Sequence, residues 1–226
     1  TRALLLNTPH NPTGAVLSRT EIGEIGEVCE KHDLWIISDE VYEDLIFEKA
    51  FASPYDDPRL ASRTVAVSSI SKSHAAPGFR SGWCAGSEEF CARLLPLGES
   101  MLFGNQPFIA DMTAHAVSQP PLAAQAMRAS FKRRADLLIQ GLGDLNSIRC
   151  HAPEAGMFLL ADVRATGLSG EQFALQLLEE ERVAVMPGEA FGEQINGFVR
   201  ISLTVPDQNI NEACDRIRRF IGTIGA

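Results

Sequence analysis

The stretch LWIISDEVY, residues 34–42, decides the fold of this chain. Its first four residues are apolar without alternation, as in a strand that is buried on both faces of a parallel sheet. Polar residues follow directly, beginning with Ser38 and Asp39. Open parallel sheets bind their ligands beyond the carboxyl ends of their strands, so the sequence predicts a ligand site after this strand.

Two further apolar runs repeat this arrangement. The run LLL at 4–6 leads into polar residues 7–14, and the run VAV at 65–67 leads into 68–72. Residues 18–32 carry apolar side chains at helical spacing after a capping box formed by Ser18 and Glu21, which predicts a crossover helix. The connection from 71 to 81 has no such period, so residues 82–86 are predicted to return antiparallel. The expected sheet is mixed and mostly parallel.

Composition limits the function classes. The chain has 226 residues, of which 45% are hydrophobic, and a net charge of −9 without a basic stripe. This charge argues against a nucleic-acid partner. The five cysteines are scattered and include no C-x-x-C pair, so they are interpreted as reduced, and no metal site is predicted. No apolar run approaches the ~18 residues of a membrane span, so we expect no membrane partner and a cytoplasmic location.

The break QPP at 119–121 is the predicted domain boundary, which separates residues 1–119 from 120–226. Helices are predicted at 88–97, 106–118 and 122–142. After the break, short strands alternate with two helices, as in a small α/β domain; the strands are predicted at 147–151, 157–163, 183–186 and 198–203, and the helices at 169–181 and 207–221. Thr1 precedes a strand that needs parallel neighbours, so we expect a piece of a longer protein.

Four motifs carry a family resemblance along the whole chain. They are NTPHNPTG at 7–14, SDEVY at 38–42, SISK at 69–72 with GFRSGW at 78–83, and FVRIS at 198–202. In this order they resemble class I/II aminotransferases of fold type I. The resemblance implies that 1–119 is the C-terminal part of the cofactor-binding large domain and 120–226 the small C-terminal domain. It also implies a pyridoxal 5'-phosphate (PLP) cofactor and a homodimer in the full-length protein.

The resemblance assigns the catalytic roles to Lys72, Asp39 and Tyr42. The amine of Lys72 would form a Schiff base with the cofactor aldehyde and then shuttle protons; taken alone, it would be interpreted as a surface lysine. The carboxylate of Asp39 would pair with the protonated pyridine nitrogen, although Asp is also a favoured helix N-cap. Tyr42 and Asn11 would hydrogen-bond the phenolic oxygen of the cofactor; taken alone, Tyr42 could be a core aromatic residue and 11–14 an ordinary turn.

Anion-binding roles fall to four other residues. Ser69 and Arg80 would hold the cofactor phosphate, with Ser71 assisting; the alternative is a polar surface loop. Arg200 would clamp the α-carboxylate of the substrate with two parallel hydrogen bonds. Alternation in 198–202 places Arg200 on the face opposite the aliphatic residues, which also suits a solvent-facing arginine.

The expected function is the transfer of an amino group from an amino acid to a 2-oxo acid. Residues 32–42, 71–75 and 156–170 look most like the arginine–pyruvate transaminase branch, and the absence of arginine between Glu99 and Ala114 disfavours aspartate as the donor. A PLP-dependent carbon–sulfur lyase or cyclopropane-forming synthase of the same fold stays open, as does a ligand-sensing domain of a transcription regulator. The family places a phosphate-capping helix start and a ring-stacking aromatic before this region, so the chain alone is expected to be inactive or nearly so.

Overall fold

The computed structural model describes residues 1–103 and 106–224, which divide into two compact units. The first unit comprises Thr1–Pro9 and Val16–Arg128, and the second comprises His10–Ala15 and the chain from Ala129 onward. The change from one unit to the other lies inside a long helix. The boundary at 119/120 remains a prediction of domain organisation.

The first unit is built on a four-stranded mixed sheet in the order β1-β2-β3-β4. Its first three strands are parallel and the fourth is antiparallel to β3, as the sequence predicts. The strands are β1 (Ala3–Asn7), β2 (Trp35–Asp39), β3 (Thr64–Ser69) and β4 (Gly82–Ala85).

Helix α1 (Arg19–Lys31) connects β1 to β2 and covers one face of this sheet. The predicted capping box is confirmed, since the Ser18 hydroxyl accepts from the Glu21 amide at 3.3 Å and the Glu21 carboxylate accepts from the Ser18 amide at 2.8 Å. Ile36 of β2 is fully buried in the cluster under α1, whereas Ile37 is 36% exposed. Alternate residues of β2 therefore point toward α1 and away from it.

The remaining helices of this unit largely follow the predicted bounds. A short helix, α2 (Ile70–Ser73), follows β3, and the longer α3 (Glu88–Leu102) continues through Pro96 beyond the predicted end at 97. Helix α4 (Pro107–Val117) comes next, and α5 (Leu122–Leu142) matches its prediction at both ends and passes from the first unit into the second. No helix among the described residues is long and apolar enough to cross a membrane.

The second unit holds an antiparallel sheet in the order β5-β6-β8-β7. Two helices contribute aromatic rings to its core, where Phe173 and Phe220 pack edge to face with their ring centres 5.2 Å apart. The predicted small α/β domain is thus present. Its elements are β5 (Arg149–His151), β6 (Phe158–Asp162), α6 (Gly170–Glu181), β7 (Met186–Pro187), β8 (Phe198–Ser202) and α7 (Asp207–Ile224).

The strand predicted at 183–186 is wrong over most of its length. Arg182, the C-cap of α6, has a left-handed backbone with φ of 58°, and the Val183 amide still donates to the Leu177 carbonyl. Arg182 and Val183 therefore end the helix. Pairing with β8 begins only at Met186.

Candidate active site

The carboxyl ends of the parallel strands meet at one edge of the first sheet. Asn7 at the end of β1 pairs with Asp39 at the end of β2, and Asp39 pairs with Val67 of β3. The next amides continue the ladder, since Thr8 donates to the Asp39 carbonyl at 3.1 Å and Glu40 donates to the Val67 carbonyl at 2.9 Å. The register thus confirms that the polar ends converge.

Asp39 lies on the face of β2 opposite to α1, because it is two residues from Ile37 and three from Ile36. Its side chain is partly buried, and Oδ1 accepts from the Val41 amide at 3.2 Å. The 3₁₀ turn that follows, Glu43–Leu45, has Tyr42 rather than Asp39 as its N-cap. The alternative in which Asp39 caps a helix is therefore wrong, and the carboxylate instead closes a short turn.

Lys72 lies in α2, directly after β3, and is partly buried. Within residues 1–103 and 106–224, its amine has no hydrogen-bond or ion-pair partner. The turn around it is fixed by other side chains, since the Ser73 hydroxyl contacts the Ser69 carbonyl at 3.3 Å and the His74 ring at 2.8 Å. A held backbone with an unengaged amine suits a nucleophile.

The predicted anion-binding residues lie on either side of this turn. The Ser69 hydroxyl accepts from the Ser71 amide at 3.2 Å. Arg80 is exposed and donates to the Pro77 carbonyl at 2.9 Å, and it takes the left-handed conformation itself, with φ of 51°. Gly82 allows the close approach of two strands, because a Cβ at this position would lie 2.7 Å from the carbonyl oxygen of Ser68 on the neighbouring strand.

Tyr42 is 6% exposed. The neighbouring residue, Glu43, has a raised pKa that was not predicted from the sequence. Burial, followed by repulsion from Asp44 and Glu40, raises the pKa of the Glu43 carboxyl to about 7, against the smaller effect of the Ser68 hydroxyl at 3.4 Å. The signal in the sequence is the run of four acids among apolar residues at 39–44. Crowded, desolvated carboxyls hold protons near neutral pH.

Arg200 belongs to the second unit and lies on β8. Its neighbours Val199 and Ile201 are buried, which confirms the predicted alternation. The guanidinium lies 4.8 Å from the ring centre of Phe191 and 5.5 Å from that of Phe158. These two aromatic partners were not found from the sequence, because one comes from a loop and the other from a different strand.

Asn11, also in the second unit, contacts Arg200 directly, since its side-chain oxygen accepts from a guanidinium nitrogen at 3.0 Å. The loop that carries Asn11 is held in place: His10 contacts the Thr13 hydroxyl at 2.8 Å, and the Glu154 amide donates to the Gly14 carbonyl at 3.0 Å. Gly14 has φ of 72°. Together the amide and the two rings fix the direction of the guanidinium, as a clamp for a planar carboxylate requires.

The first unit therefore presents an unengaged amine, a carboxylate, and hydroxyl and guanidinium donors at one sheet edge. The second unit presents an oriented guanidinium. The first set suits covalent chemistry on a carbonyl compound that also carries an anionic group. The second suits recognition of a carboxylate.

Comparisons with known proteins agree with this chemistry. The family profile of class I and II aminotransferases matches residues 1–217. Arginine–pyruvate transaminase AruH of Pseudomonas aeruginosa is 44% identical over 217 residues, which are 96% of this chain and 55% of the relative. Among solved structures, an aromatic aminotransferase from Pyrococcus horikoshii matches with a TM-score of 0.93 and 33% identity over 99% of this chain and 60% of its own.

A PLP-bound protein from Clostridium difficile 630 matches with a TM-score of 0.89 and 25% identity over 97% of this chain and 58% of its own. The chain thus spans little more than half the length of these relatives.

Proposed function

The chain belongs to the class I and II aminotransferase family, and from this premise we propose that it carries the cofactor lysine and the substrate-binding arginine of a PLP-dependent transaminase. The reaction moves an amino group from an amino acid to a 2-oxo acid. The observation that carries this proposal is the shared edge of β1, β2 and β3, where Asp39 and the Lys72 turn follow neighbouring strands. A ping-pong route with a covalent lysine suits this arrangement.

The residues at this edge fit PLP, on which the family depends. When bound, PLP supplies an aldehyde for a lysine amine and a ring that accepts electron density from the α-carbon of the substrate. Lys72 is the residue with an unengaged amine at this edge. Asp39 has its Oδ1 on the Val41 amide, and its carboxylate can accept the N–H of a protonated ring nitrogen.

Three other residues, Ser69, Ser71 and Arg80, lie on or near the turn that carries Lys72, and this position supports a role in holding the phosphate. Ser69 and Arg80 donate to the phosphate oxygens, with Ser71 beside them, and the exposed guanidinium of Arg80 has donors beyond the one on the Pro77 carbonyl. For Tyr42 and Asn11, the support is the motif match alone, which assigns both side chains to the phenolic oxygen. A charge-assisted hydrogen bond to that oxygen favours its anionic form.

Lys72 Nζ also moves the substrate proton. With PLP bound, the amine of Lys72 would accept a proton from the α-carbon of the substrate and release it again. The carboxylate of Asp39 would stabilise a protonated ring nitrogen, because a negative charge favours an adjacent positive charge.

For the substrates, we propose arginine as the amino donor and pyruvate as the acceptor. The identity of 44% to arginine–pyruvate transaminase AruH supports this choice, and the stretch 99–114, which contains no arginine, offers no second cation to the side-chain carboxylate of aspartate. Arg200 would hold the α-carboxylate that every amino-acid donor shares. We further propose a cytoplasmic homodimer, whose assembly sedimentation velocity would measure.

The test is a pair of assays with purified full-length protein and added PLP. Transamination of arginine with pyruvate should proceed, and omission of the 2-oxo acid should stop turnover. Turnover without an acceptor would instead indicate a lyase or synthase of this fold. The 226-residue chain alone is expected to be nearly inactive, and rates on the order of 1–1000 per second would contradict that expectation.

A further inference from the structure

Glu189 lies in the loop between β7 and β8, within a 3₁₀ turn formed by Gly188–Phe191. One oxygen of its carboxylate, Oε1, accepts from the amide of Gly170 at 2.8 Å and from the amide of Gly197 at 3.2 Å. Gly170 is the first residue of α6, and Gly197 immediately precedes β8. A single side chain therefore ties the loop to the start of a helix and to the start of a strand.

Backbone amides around Glu189 favour the charged form of its carboxylate. Burial acts to raise the pKa of Glu189, but the amides of Glu189, Gly197, Gly170 and Glu171 outweigh it and lower the pKa. The start of a helix also favours a negative charge, because the first amides have no partner within the helix. A neutral side chain of similar size would keep part of the hydrogen bonding and lose the charge.

The surrounding backbone is shaped to this side chain. A Cβ on Gly170 would overlap the Glu189 carboxylate, and a Cβ on Gly188 would overlap the carbonyl of Ile195. Gly197 has φ of 77°, a conformation that favours glycine. Gly170, Gly188 and Gly197 therefore have no room for a larger side chain.

This loop forms one wall of the Arg200 environment. Phe191 is two residues from Glu189 in the same turn, and its ring centre lies 4.8 Å from the Arg200 guanidinium. The other ring, Phe158, belongs to β6 and is held by the sheet itself. Of the two rings, Phe191 is thus the one whose position depends on a loop, and Glu189 is what anchors that loop.

We propose that Glu189 is a positioning residue for substrate binding: it fixes the loop 188–197 so that Phe191 stacks on Arg200 and directs the guanidinium at the substrate carboxylate. This inference rests on the proposed role of Arg200. The side chain of Glu189 does not touch the substrate and acts through Phe191.

The first test does not depend on activity. The side-chain Nε–H resonance of Arg200, recorded in ¹⁵N–¹H spectra of the chain, reports ring stacking because an aromatic ring shifts the signals of atoms above its face. Phe191→Leu identifies the unstacked position of this resonance. Glu189→Ala should move the resonance toward that position, Glu189→Gln should move it less, and Glu193→Ala, which removes an exposed glutamate from the same loop, should leave it unchanged.

The second test uses the full-length transaminase with PLP. Glu189→Ala should raise KM for amino-acid donors roughly tenfold, less than the about hundredfold cost of a 1 Å misplacement. The values of kcat, and of KM for an amine without a carboxylate, should stay within about twofold, because neither depends on the clamp. Glu189→Gln should restore part of the affinity, and Glu193→Ala should match the wild type.

The outcomes separate the two proposals. A wild-type enzyme without transaminase activity would refute the proposed function, while the Arg200 resonance would still decide whether Glu189 places Phe191. An Arg200 resonance that stays at its wild-type position in Glu189→Ala would overturn the inference, as would an equal rise of KM for both substrate types. If Glu189→Ala does not fold, Glu189→Gln decides in the same way, and wild-type behaviour in both tests refutes the positioning role.

Discussion

Glu43 allows a test of the electrostatics of the first unit that needs neither cofactor nor substrate. Burial raises the pKa of its carboxyl to about 7, and Asp44, Glu40 and, to a smaller extent, Asp56 add to this effect, whereas the Ser68 hydroxyl opposes it. The change we consider is Glu43→Gln, which keeps the size of the side chain and a contact to Ser68 but cannot ionise.

The effect of Glu43 on the free energy of unfolding depends on whether the folded or the unfolded chain holds the proton more tightly. Between the ordinary pKa of 4.5 and about 7, the folded chain keeps a proton that the unfolded chain releases. Glu43 therefore costs no stability below pH 4.5 and an increasing amount as the pH rises to about 7. Each unit of difference between the pKa in the folded chain and that in the unfolded chain changes the free energy of unfolding by about 1.4 kcal/mol. Because the side chain is only partly buried, solvent screening reduces the total to about 1–2 kcal/mol.

The measurement is urea unfolding of wild type and Glu43→Gln at several pH values between 4 and 8.5. Intrinsic fluorescence is a suitable probe because both tryptophans of the chain, Trp35 and Trp83, lie in the unit that contains Glu43. The variant should match the wild type near pH 4.5 and exceed its unfolding free energy by about 1–2 kcal/mol near pH 8. Glu48→Gln, an exposed position five residues on, is the matched control and should show no such trend.

A difference between Glu43→Gln and wild type that does not change with pH would refute this reasoning. It would mean that the carboxyl of Glu43 titrates alike in the folded and unfolded chain, and that the substitution acts through packing alone. A variant that is less stable at pH 8 would be more damaging still, since it would show that the charged form makes a favourable interaction.

Three further predictions concern the proposed active site. Borohydride reduction of the full-length protein with PLP, followed by peptide mapping, should place the pyridoxyl group on Lys72, and a label on another lysine with Lys72 unmodified would exclude the assignment. Asp39→Asn should retain the bond to the Val41 amide and the melting temperature but slow single turnovers about 10²–10³-fold; a large loss of stability with normal turnover would indicate a structural role. Arg200→Lys should raise KM for amino-acid donors and spare amines without a carboxylate, because a point charge cannot form two parallel bonds.

The sheet edge could be predicted from the sequence because its signals are local. An apolar run followed by polar residues indicates a parallel strand and its carboxyl end, and the crossover helix between β1 and β2 begins with a capping box that is complete within four residues. The prediction that these strands are buried on both faces is wrong, since Leu5 is 69% and Ile37 36% exposed. The reversal of β4 was also predictable, since the connection before it has no helical period. The strand ends, the capping box and the reversal of β4 could each be predicted from a short stretch of the sequence.

The surroundings of Arg200 could not be predicted in this way. Asn11 and Arg200 are 189 positions apart, and the contact between them depends on the loop 10–15 folding with the second unit rather than with the first. Likewise, no local pattern marks Phe191 as a stacking partner or Glu189 as the anchor of its loop. The pKa of Glu43 depends on burial among distant side chains, which charge patterning alone does not reveal.

The residues proposed to hold the cofactor and the residue proposed to bind the substrate are held in place by different parts of the fold. The residues proposed to hold the cofactor follow strand ends, where a substitution that disturbs the backbone would also disturb the register of β1, β2 and β3. The direction of Arg200 is instead set partly by a loop that is anchored through Glu189 and Gly197. If Arg200 has its proposed role, substitutions in the loop 188–197 alter the fit of the substrate while the sheet and the lysine turn stay intact. On this argument, the loop 188–197 is the first place to look for differences in substrate preference between this chain and its relatives.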